Sequence, residues 1–473
     1  MLQLEYANCL TDRVGDHGLA PSVIAPGSDA ASRAVELTAS LESTKNTGWE
    51  RWRGLPFDPA KSAHVGEVMR IAEQCQGRFD NMVVLGIGGS ALGNIALQSA
   101  LNPSTYNLMS DSARRGPKLF VVDNVDPTYF GSVLDYCKAS DPGLKRTLFN
   151  VVSKSGETCE TASQFMMVRQ MMIEAVGAEN HAQHFVMITD PEKGTMRRIC
   201  DENGYTTLPV PEGVGGRFSV LSPVGLFSAA MCGIDIHMLL EGAASMAARC
   251  SKPNLHENPA AMLAILLHEL AAKGKTQHVM MPYANSLYLM ADWFRQLWAE
   301  SLGKRVDTNG NEVFAGYTPI KALGTTDQHS QVQLYREGPN DKVFCFLEVD
   351  SFGDGDLTIP TGLGVDALSY LEGASFTKLL NAEKRATEFA FVESQRPNLT
   401  IRFPRIDEFH VGEFIAMWEI ATAYMGLILN IDAYDQPAVE TGKVATFGLM
   451  GRAGYEEWKS KVDGALGSTD HVI

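Results

Sequence analysis

Three kinds of chemistry are written into short stretches of this chain: binding an anion, moving a proton, and holding a negative charge as it forms. The anion signal is clearest at Val151-Val152-Ser153-Lys154-Ser155-Gly156-Glu157-Thr158, an apolar run that ends in a hydroxyl-rich loop and opens a helix continuing to Glu174. Such a loop points backbone N–H groups and hydroxyls into one space at the positive end of a helix, which suits a phosphate dianion. An ordinary N-cap explains one hydroxyl there, not three with a lysine. A second glycine-rich turn follows the apolar run at Val84-Leu85, reading Gly86-Ile87-Gly88-Gly89-Ser90-Ala91-Leu92-Gly93. It satisfies the dinucleotide fingerprint loosely, but the acid expected about 20 residues later to hold a ribose is missing, since Asp123 lies too far on. A dinucleotide site, another anion site and a structural turn all remain open for this stretch.

The charge-holding candidate is Arg217 in Val214-Gly215-Gly216-Arg217-Phe218-Ser219, where paired glycines let backbone approach a ligand. An arginine stays cationic and can steady an enolate-type oxyanion, although a surface arginine on a flexible loop reads the same way. For proton transfer, a helix is expected over Leu287–Leu302 with the apolar stripe Leu287, Met290, Ala291, Phe294, Leu297 and Trp298. Glu300 lies off that stripe, near the terminus at Gly303, where a cleft could open; the alternative is an i,i+4 surface pair with Lys304. In Gly324-Thr325-Thr326-Asp327-Gln328-His329-Ser330-Gln331 a loop, an N-cap and a first helical turn are expected. The positive helix end there would favour a neutral His329 able to shuttle protons, against a solvent-facing histidine. Finally, Asp435-Gln436-Pro437-Ala438-Val439-Glu440-Thr441-Gly442-Lys443 starts a helix at Pro437, and Gly442 inside it costs about 1 kcal/mol, which points to a close approach. Lys443 beside it is either a ligand contact or a solvated charge. His181 and His184 have no third ligand at suitable spacing, so no metal site is read.

These stretches need elements that bring them together. From Asn81 onward, short apolar runs at Met82–Leu85, Leu119–Val122, Leu148–Val152 and Phe185–Ile188 alternate with helical stretches, the grammar of a parallel sheet covered on both faces. The same grammar restarts after Lys252-Pro253 with runs at His278–Met281, Val343–Leu347 and Leu399–Phe403. The expected architecture is therefore α/β, with two tandem doubly wound domains whose functional residues sit at the carboxyl ends of strands. The division is 1–50 as an N-terminal helical extension packing on the first domain, 51–250 as that domain, 251–435 as the second, and 436–473 as a C-terminal helical segment.

Composition limits the partners. Of 473 residues, 45% are hydrophobic and 20% charged, as in a globular enzyme. The formal charge, 40 − 56 = −16, repels nucleic acid and anionic lipid, so an anionic substrate must be met locally. Eight scattered cysteines without a C-x-x-C pair read as reduced thiols of a cytoplasmic protein, and the first residues lack a secretory pattern. The apolar stretch Phe414–Ile431 is interrupted by Glu419, Thr422 and Asn430 and reads as a buried core helix, not a membrane span.

Taken in order, Gly86–Gly93, Ser153–Thr158, Gly215–Ser219, Trp298–Lys304, Asp327–Ser330 and Gln436–Lys443 resemble the phosphoglucose isomerase family. The resemblance implies two sugar-isomerase type domains, each a mainly parallel sheet flanked by helices, and interconversion of glucose 6-phosphate and fructose 6-phosphate through ring opening and a cis-enediolate. It implies neither metal nor cofactor. By position Glu300 resembles the base acting between C2 and C1, His329 the ring-opening residue entering from the partner subunit of a homodimer, Lys443 its assistant, and Arg217 the enediolate-holding arginine. Ser153, Ser155 and Thr158, with backbone from Lys154, resemble the phosphate cradle, and Gly89, Ser90 and Gln436 resemble further substrate contacts. Ser155-Gly156-Glu157, Ser301-Leu302-Gly303 and Thr326-Asp327-Gln328 depart from the longer members and look like the shorter bacterial branch, which leaves discrimination against mannose 6-phosphate open. Two other readings stand beside the isomerase. A non-catalytic sugar-phosphate sensor would have no use for Glu300, His329 and Lys443, and a nicotinamide-dependent dehydrogenase would rest on Gly86–Ala91 alone.

Overall fold

The apolar runs at 81–85, 147–152 and 185–189 are buried along their whole length, as parallel strands with helices on both faces must be. The computed structural model describes residues 1–467 and 472–473; residues 468–471 of the expected C-terminal segment lie outside that description. In chain order the strands are β1 (Gln3–Glu5), β2 (Asn81–Leu85), β3 (Lys118–Val122), β4 (Thr147–Val152), β5 (Phe185–Thr189), β6 (Thr206–Pro209), β7 (Gln277–Pro282), β8 (Lys304–Val306), β9 (Glu312–Ala315), β10 (Thr318–Lys321), β11 (Lys342–Ser351) and β12 (Asn398–Arg405). A fully parallel sheet runs β3-β2-β4-β5-β6, and a second runs β1-β12-β11-β7-β10. In the second sheet only β1 is antiparallel; β8 and β9 form a separate two-stranded hairpin. Every strand expected from the sequence is present. The edge strands β6 and β10 were not legible, because each is four residues long and only partly buried, without an apolar run.

The N-terminal segment departs from expectation. The sequence reading packs residues 1–50 on the first domain, whereas β1 extends the second sheet by pairing with β12. Arg402 donates to Glu5 at 2.9 Å, and the backbone N–H of Leu2 donates to the buried carboxylate of Glu413 at 2.7 Å. The helix Asp29–Thr44 then packs on the helices Pro259–Ala272 and Glu408–Ile428.

Alternation along the strands divides the cores. Val83, Leu85, Phe149, Val151, Phe185 and Met187 face one separate cluster, while Met82, Val84, Leu148, Val186 and Ile188 face a core that continues to Met280, Val343, Leu347 and Ile401 of the second sheet. The two sheets thus share one interior, and loops leaving their carboxyl ends are held rigidly relative to each other. The helices Ile236–Cys250 and Glu408–Ile428 cross within this interior. A Cβ on Gly242 would lie 1.8 Å from the Phe409 carbonyl oxygen, and one on Gly412 would lie 1.9 Å from that of Leu239, so the crossing admits no side chain at either position. The helix Glu408–Ile428 is long and apolar enough to span a bilayer, yet 94% of its apolar window is buried inside the protein, which makes it the expected core helix.

Candidate active site

The carboxyl end of β2 runs into the first glycine-rich turn. Gly88 takes φ +57°, and a Cβ on Gly89 would lie 2.2 Å from the carbonyl carbon of Gly216, so only glycine permits this approach. Two glycine loops far apart in sequence therefore lie backbone against backbone. The Ser219 hydroxyl donates to the Gly216 carbonyl at 2.6 Å and steadies the turn that delivers Arg217.

Arg217 is then held on every side. Its Nε donates to Ser301 Oγ at 2.6 Å, Nη1 donates to Gln436 Oε1 at 2.9 Å, and Nη2 donates to the carbonyls of Ala433 at 2.7 Å and Asp435 at 3.0 Å. With four donated bonds and a side chain only 3% exposed, it has one direction left for its charge. Its Nη1 lies 3.5 Å from Glu300 Oε1, at a carboxylate 27% exposed. Burial lowers the arginine's pKa, and the charges of Glu300 and Asp435 oppose that shift.

Glu300 stands two residues before the end of the helix Tyr288–Leu302, whose apolar stripe is buried as the periodicity requires. Gln296, one turn earlier, donates from Nε2 to Glu300 Oε2 at 2.9 Å, so each carboxylate oxygen has a neighbour. Gln296 was missed in the sequence. Its signal was available, since a polar residue four before Glu300 must share its helix face. The alternative of a surface pair between Glu300 and Lys304 does not occur, because the Lys304 ammonium donates to the backbone carbonyls of Glu300, Ser301 and Asp435, each at 2.9 Å.

Opposite Glu300 lies the loop between β4 and the helix Cys159–Val176. Ser153 Oγ accepts from the Gly156 N–H and Ser155 Oγ from the Glu157 N–H, both at 3.1 Å, which shapes the turn and leaves both hydroxyl protons free to donate elsewhere. Gly156 has φ +77°, and a Cβ there would lie 2.5 Å from the Met196 nitrogen. Thr158 occupies the helix N-cap without a capping bond from its side chain. A cavity of about 730 Å³ separates this loop from Glu300. Gly89, Ser90, Ser155, Thr158, Arg217, Glu300 and Gln436 all line it, together with Gln296, Glu157, Cys159 and Glu160. Ser153 is buried behind the loop, and Lys154 turns its ammonium over the Trp49 ring, 5.0 Å from the centroid, so neither side chain lines the cavity.

The remaining wall is the helix Glu440–Leu449. Lys443 lines the cavity, half exposed, with Nζ 2.6 Å from Glu440 Oε1. The close approach inferred at Gly442 is not made by this chain: nothing lies within 4 Å of where its Cβ would sit, and the residue faces the cavity. Arg452, just past this helix, donates to Glu157 Oε2 at 2.9 Å and so ties the C-terminal segment to the Ser153–Thr158 loop. His329 is elsewhere. It ends a 3₁₀ turn, Thr326–His329, and not the first turn of an α-helix, which begins only at Val332; it is exposed and absent from the cavity lining. Asp327 governs this turn by accepting from the Leu323 N–H at 2.7 Å and the Ser330 hydroxyl at 2.5 Å. The ring nitrogens of His181 reach the Ala178 carbonyl and Tyr205 hydroxyl, so that histidine is engaged in packing.

Residues 70–463 match the family described as phosphoglucose isomerase. The chain is 46% identical over 423 residues to a glucose-6-phosphate isomerase of Carboxydothermus hydrogenoformans, covering 89% of each sequence. It is 41% identical over 424 residues to one of Rubrobacter xylanophilus, covering 89% of this chain and 94% of that one. Among solved structures, a hypothetical protein of Thermus thermophilus superposes with TM-score 0.82 at 33% identity, covering 95% of this chain and 100% of the other. A glucose-6-phosphate isomerase from Chlamydia trachomatis shares the fold, with TM-score 0.78 at 22% identity over 97% of this chain and 95% of its own. With the match running through both sheets and every wall of the cavity, this chain belongs to the phosphoglucose isomerase family.

Proposed function

We propose that this chain interconverts glucose 6-phosphate and fructose 6-phosphate in the cavity between Glu300 and the Ser153–Thr158 loop. The phosphate sits at the positive end of the helix Cys159–Val176, where Ser155 and Thr158 donate to it and Ser153 and the Lys154 backbone shape the turn. Gly89, Ser90 and Gln436 flank the sugar. In the opened aldose, Glu300 takes the C2 proton, the C–H electron pair becomes the C1=C2 bond, and O1 becomes the oxyanion of a cis-enediolate. Arg217, already fixed beside the carboxylate, faces that charge without having to reorganise. The O2 hydroxyl proton passes to O1, the electron pair left on O2 forms the C2 carbonyl, and the C1=C2 pair takes the proton back from Glu300 at C1, so protons and electrons balance within the sugar. One carboxylate serves both carbons because C1 and C2 are bonded neighbours presenting the same face.

Ring opening is assigned to His329 of a second copy, assisted by Lys443, in a cytoplasmic homodimer. That His329 is exposed and outside the cavity of its own chain supports this assignment. The observation that carries the whole reading is the Arg217–Glu300 pair, 3.5 Å apart across a cavity from an anion-binding loop. The test is turnover of fructose 6-phosphate coupled to oxidation of the glucose 6-phosphate formed, run with a chelator present. Steady production of glucose 6-phosphate is expected, and a folded protein that binds the sugar phosphate without turning it over would overturn the proposal in favour of a sensor.

A further inference from the structure

Lys304 is the only buried ammonium among the described residues whose three donors all go to carbonyls around the proposed base and arginine. It leaves the helix Tyr288–Leu302 two residues past its end and folds back, and its side chain is 4% exposed. Two of its bonds, to Glu300 O and Ser301 O, satisfy carbonyls that a helix C-terminus leaves without intrahelical partners. The third, to Asp435 O, belongs to a segment more than a hundred residues away. That same Asp435 oxygen also accepts from Arg217 Nη2 at 3.0 Å. Two cations therefore meet at one carbonyl oxygen, and the next residue, Gln436, accepts from Arg217 Nη1. The Asp435 carboxylate, 3.5 Å from the ammonium, balances part of this charge.

We infer that Lys304 is a positioning residue, which locks the end of the Glu300 helix to the Ala433–Gln436 segment and so fixes the distance between Glu300 and Arg217. It touches neither the cavity nor the substrate, and acts through these two residues. Without it, the carbonyls of Glu300 and Ser301 lose their donor and that of Asp435 loses one of two, the last helical turn is free to fray, and Asp435 no longer presents its oxygen squarely to Arg217. A displacement of about 1 Å at a reacting group costs roughly a hundredfold in rate. The phosphate loop belongs to a different element, so affinity should be largely spared.

This inference rests on the isomerase reading, and the experiment separates the two. Full-length Lys304→Met, Lys304→Arg and wild type are compared for kcat and KM on fructose 6-phosphate, with folding checked by circular dichroism and thermal melting. Lys304→Met is expected to lose about a hundredfold in kcat with KM changed less than about fivefold, and Lys304→Arg, which keeps charge and donors, to recover at least tenfold of that loss. If Lys304→Met fails to fold, Lys304→Gln, which keeps two N–H donors without the charge, is measured in its place against the same thresholds. A folded Lys304→Met or Lys304→Gln with kcat within about threefold of wild type, or a loss carried by KM alone, overturns the positioning role. An inactive wild type would instead overturn the isomerase reading.

Discussion

Replacing Glu300 by glutamine removes the proposed proton acceptor and little else. The amide is nearly isosteric with the carboxylate and can still bond Gln296, whose Nε2 is 2.9 Å from Oε2. Arg217 keeps its four other bonds, so its position does not depend on the charge it faces. The Arg217–Glu300 contact is long at 3.5 Å and the carboxylate partly open to solvent, so the stability lost with it should be about 1 kcal/mol or less. A positioned general base contributes about 10²–10⁴ in rate, or roughly 3–5 kcal/mol of activation free energy. Glu300→Gln is therefore expected to lower kcat by at least a hundredfold with KM close to that of wild type. Exchange of the sugar's C2 proton with deuterated water should fall in parallel, since proton removal is the step affected. The coupled assay and proton NMR of the sugar read these two quantities. A variant with kcat within tenfold of wild type, or with exchange that persists while turnover is lost, would show that another group takes the proton.

Two further outcomes follow from other parts of the molecule. Glu419 sits in the core helix, 1% exposed, with Oε1 unpartnered, and burial pushes its carboxyl well above the ordinary 4.5. The native state therefore keeps a proton that the unfolded chain releases, so this contribution is full below about pH 4.5 and falls by up to about 1.4 kcal/mol per pH unit as the pH rises toward the native value. Glu419→Gln, which cannot ionise, should show a smaller drop in Tm between pH 5 and pH 8 than wild type, and parallel curves would refute the buried neutral acid. In the proposed homodimer, exchanging subunits between Glu300→Gln and His329→Ala gives mixed dimers with one intact site and one doubly broken site. Activity should then rise to about a quarter of wild type on mixing, because half the dimers are mixed and half their sites are whole. No rise after verified subunit exchange would place the histidine's action in its own chain.

Much of the scaffold was legible because its causes are local. Strands buried on both faces carry near-continuous apolar runs, and β2, β4, β5, β7 and β11 each hold one, from Met82–Leu85 in β2 to Val343–Leu347 in β11. The stripe from Met290 to Trp298 had to be helical to collect on one face. The glycine at 156 was marked by its loop, and its φ of +77° explains the residue type. The short edge strands were illegible because half their surface is open and nothing in them demands apolar residues. Residues 1–50 were expected on the other domain for a different reason: Gln3–Glu5 form a strand only because the backbone of β12, about 400 positions away, offers a ladder.

The site divides in the same way. The amino-acid sequence by itself determined which chemical groups the protein owns and which turns expose them, since hydroxyl loops, paired glycines and helix ends are properties of neighbouring residues. It could not determine that Lys154 turns to Trp49, that Lys304 leaves the Glu300 carboxylate for three carbonyls, or that His329 stays outside its own chain's cavity. Nor could it place Arg217 3.5 Å from Glu300. Those outcomes depend on how two sheets close over one interior, because a side chain's direction is decided by whichever distant donor, acceptor or ring occupies the space beside it after packing.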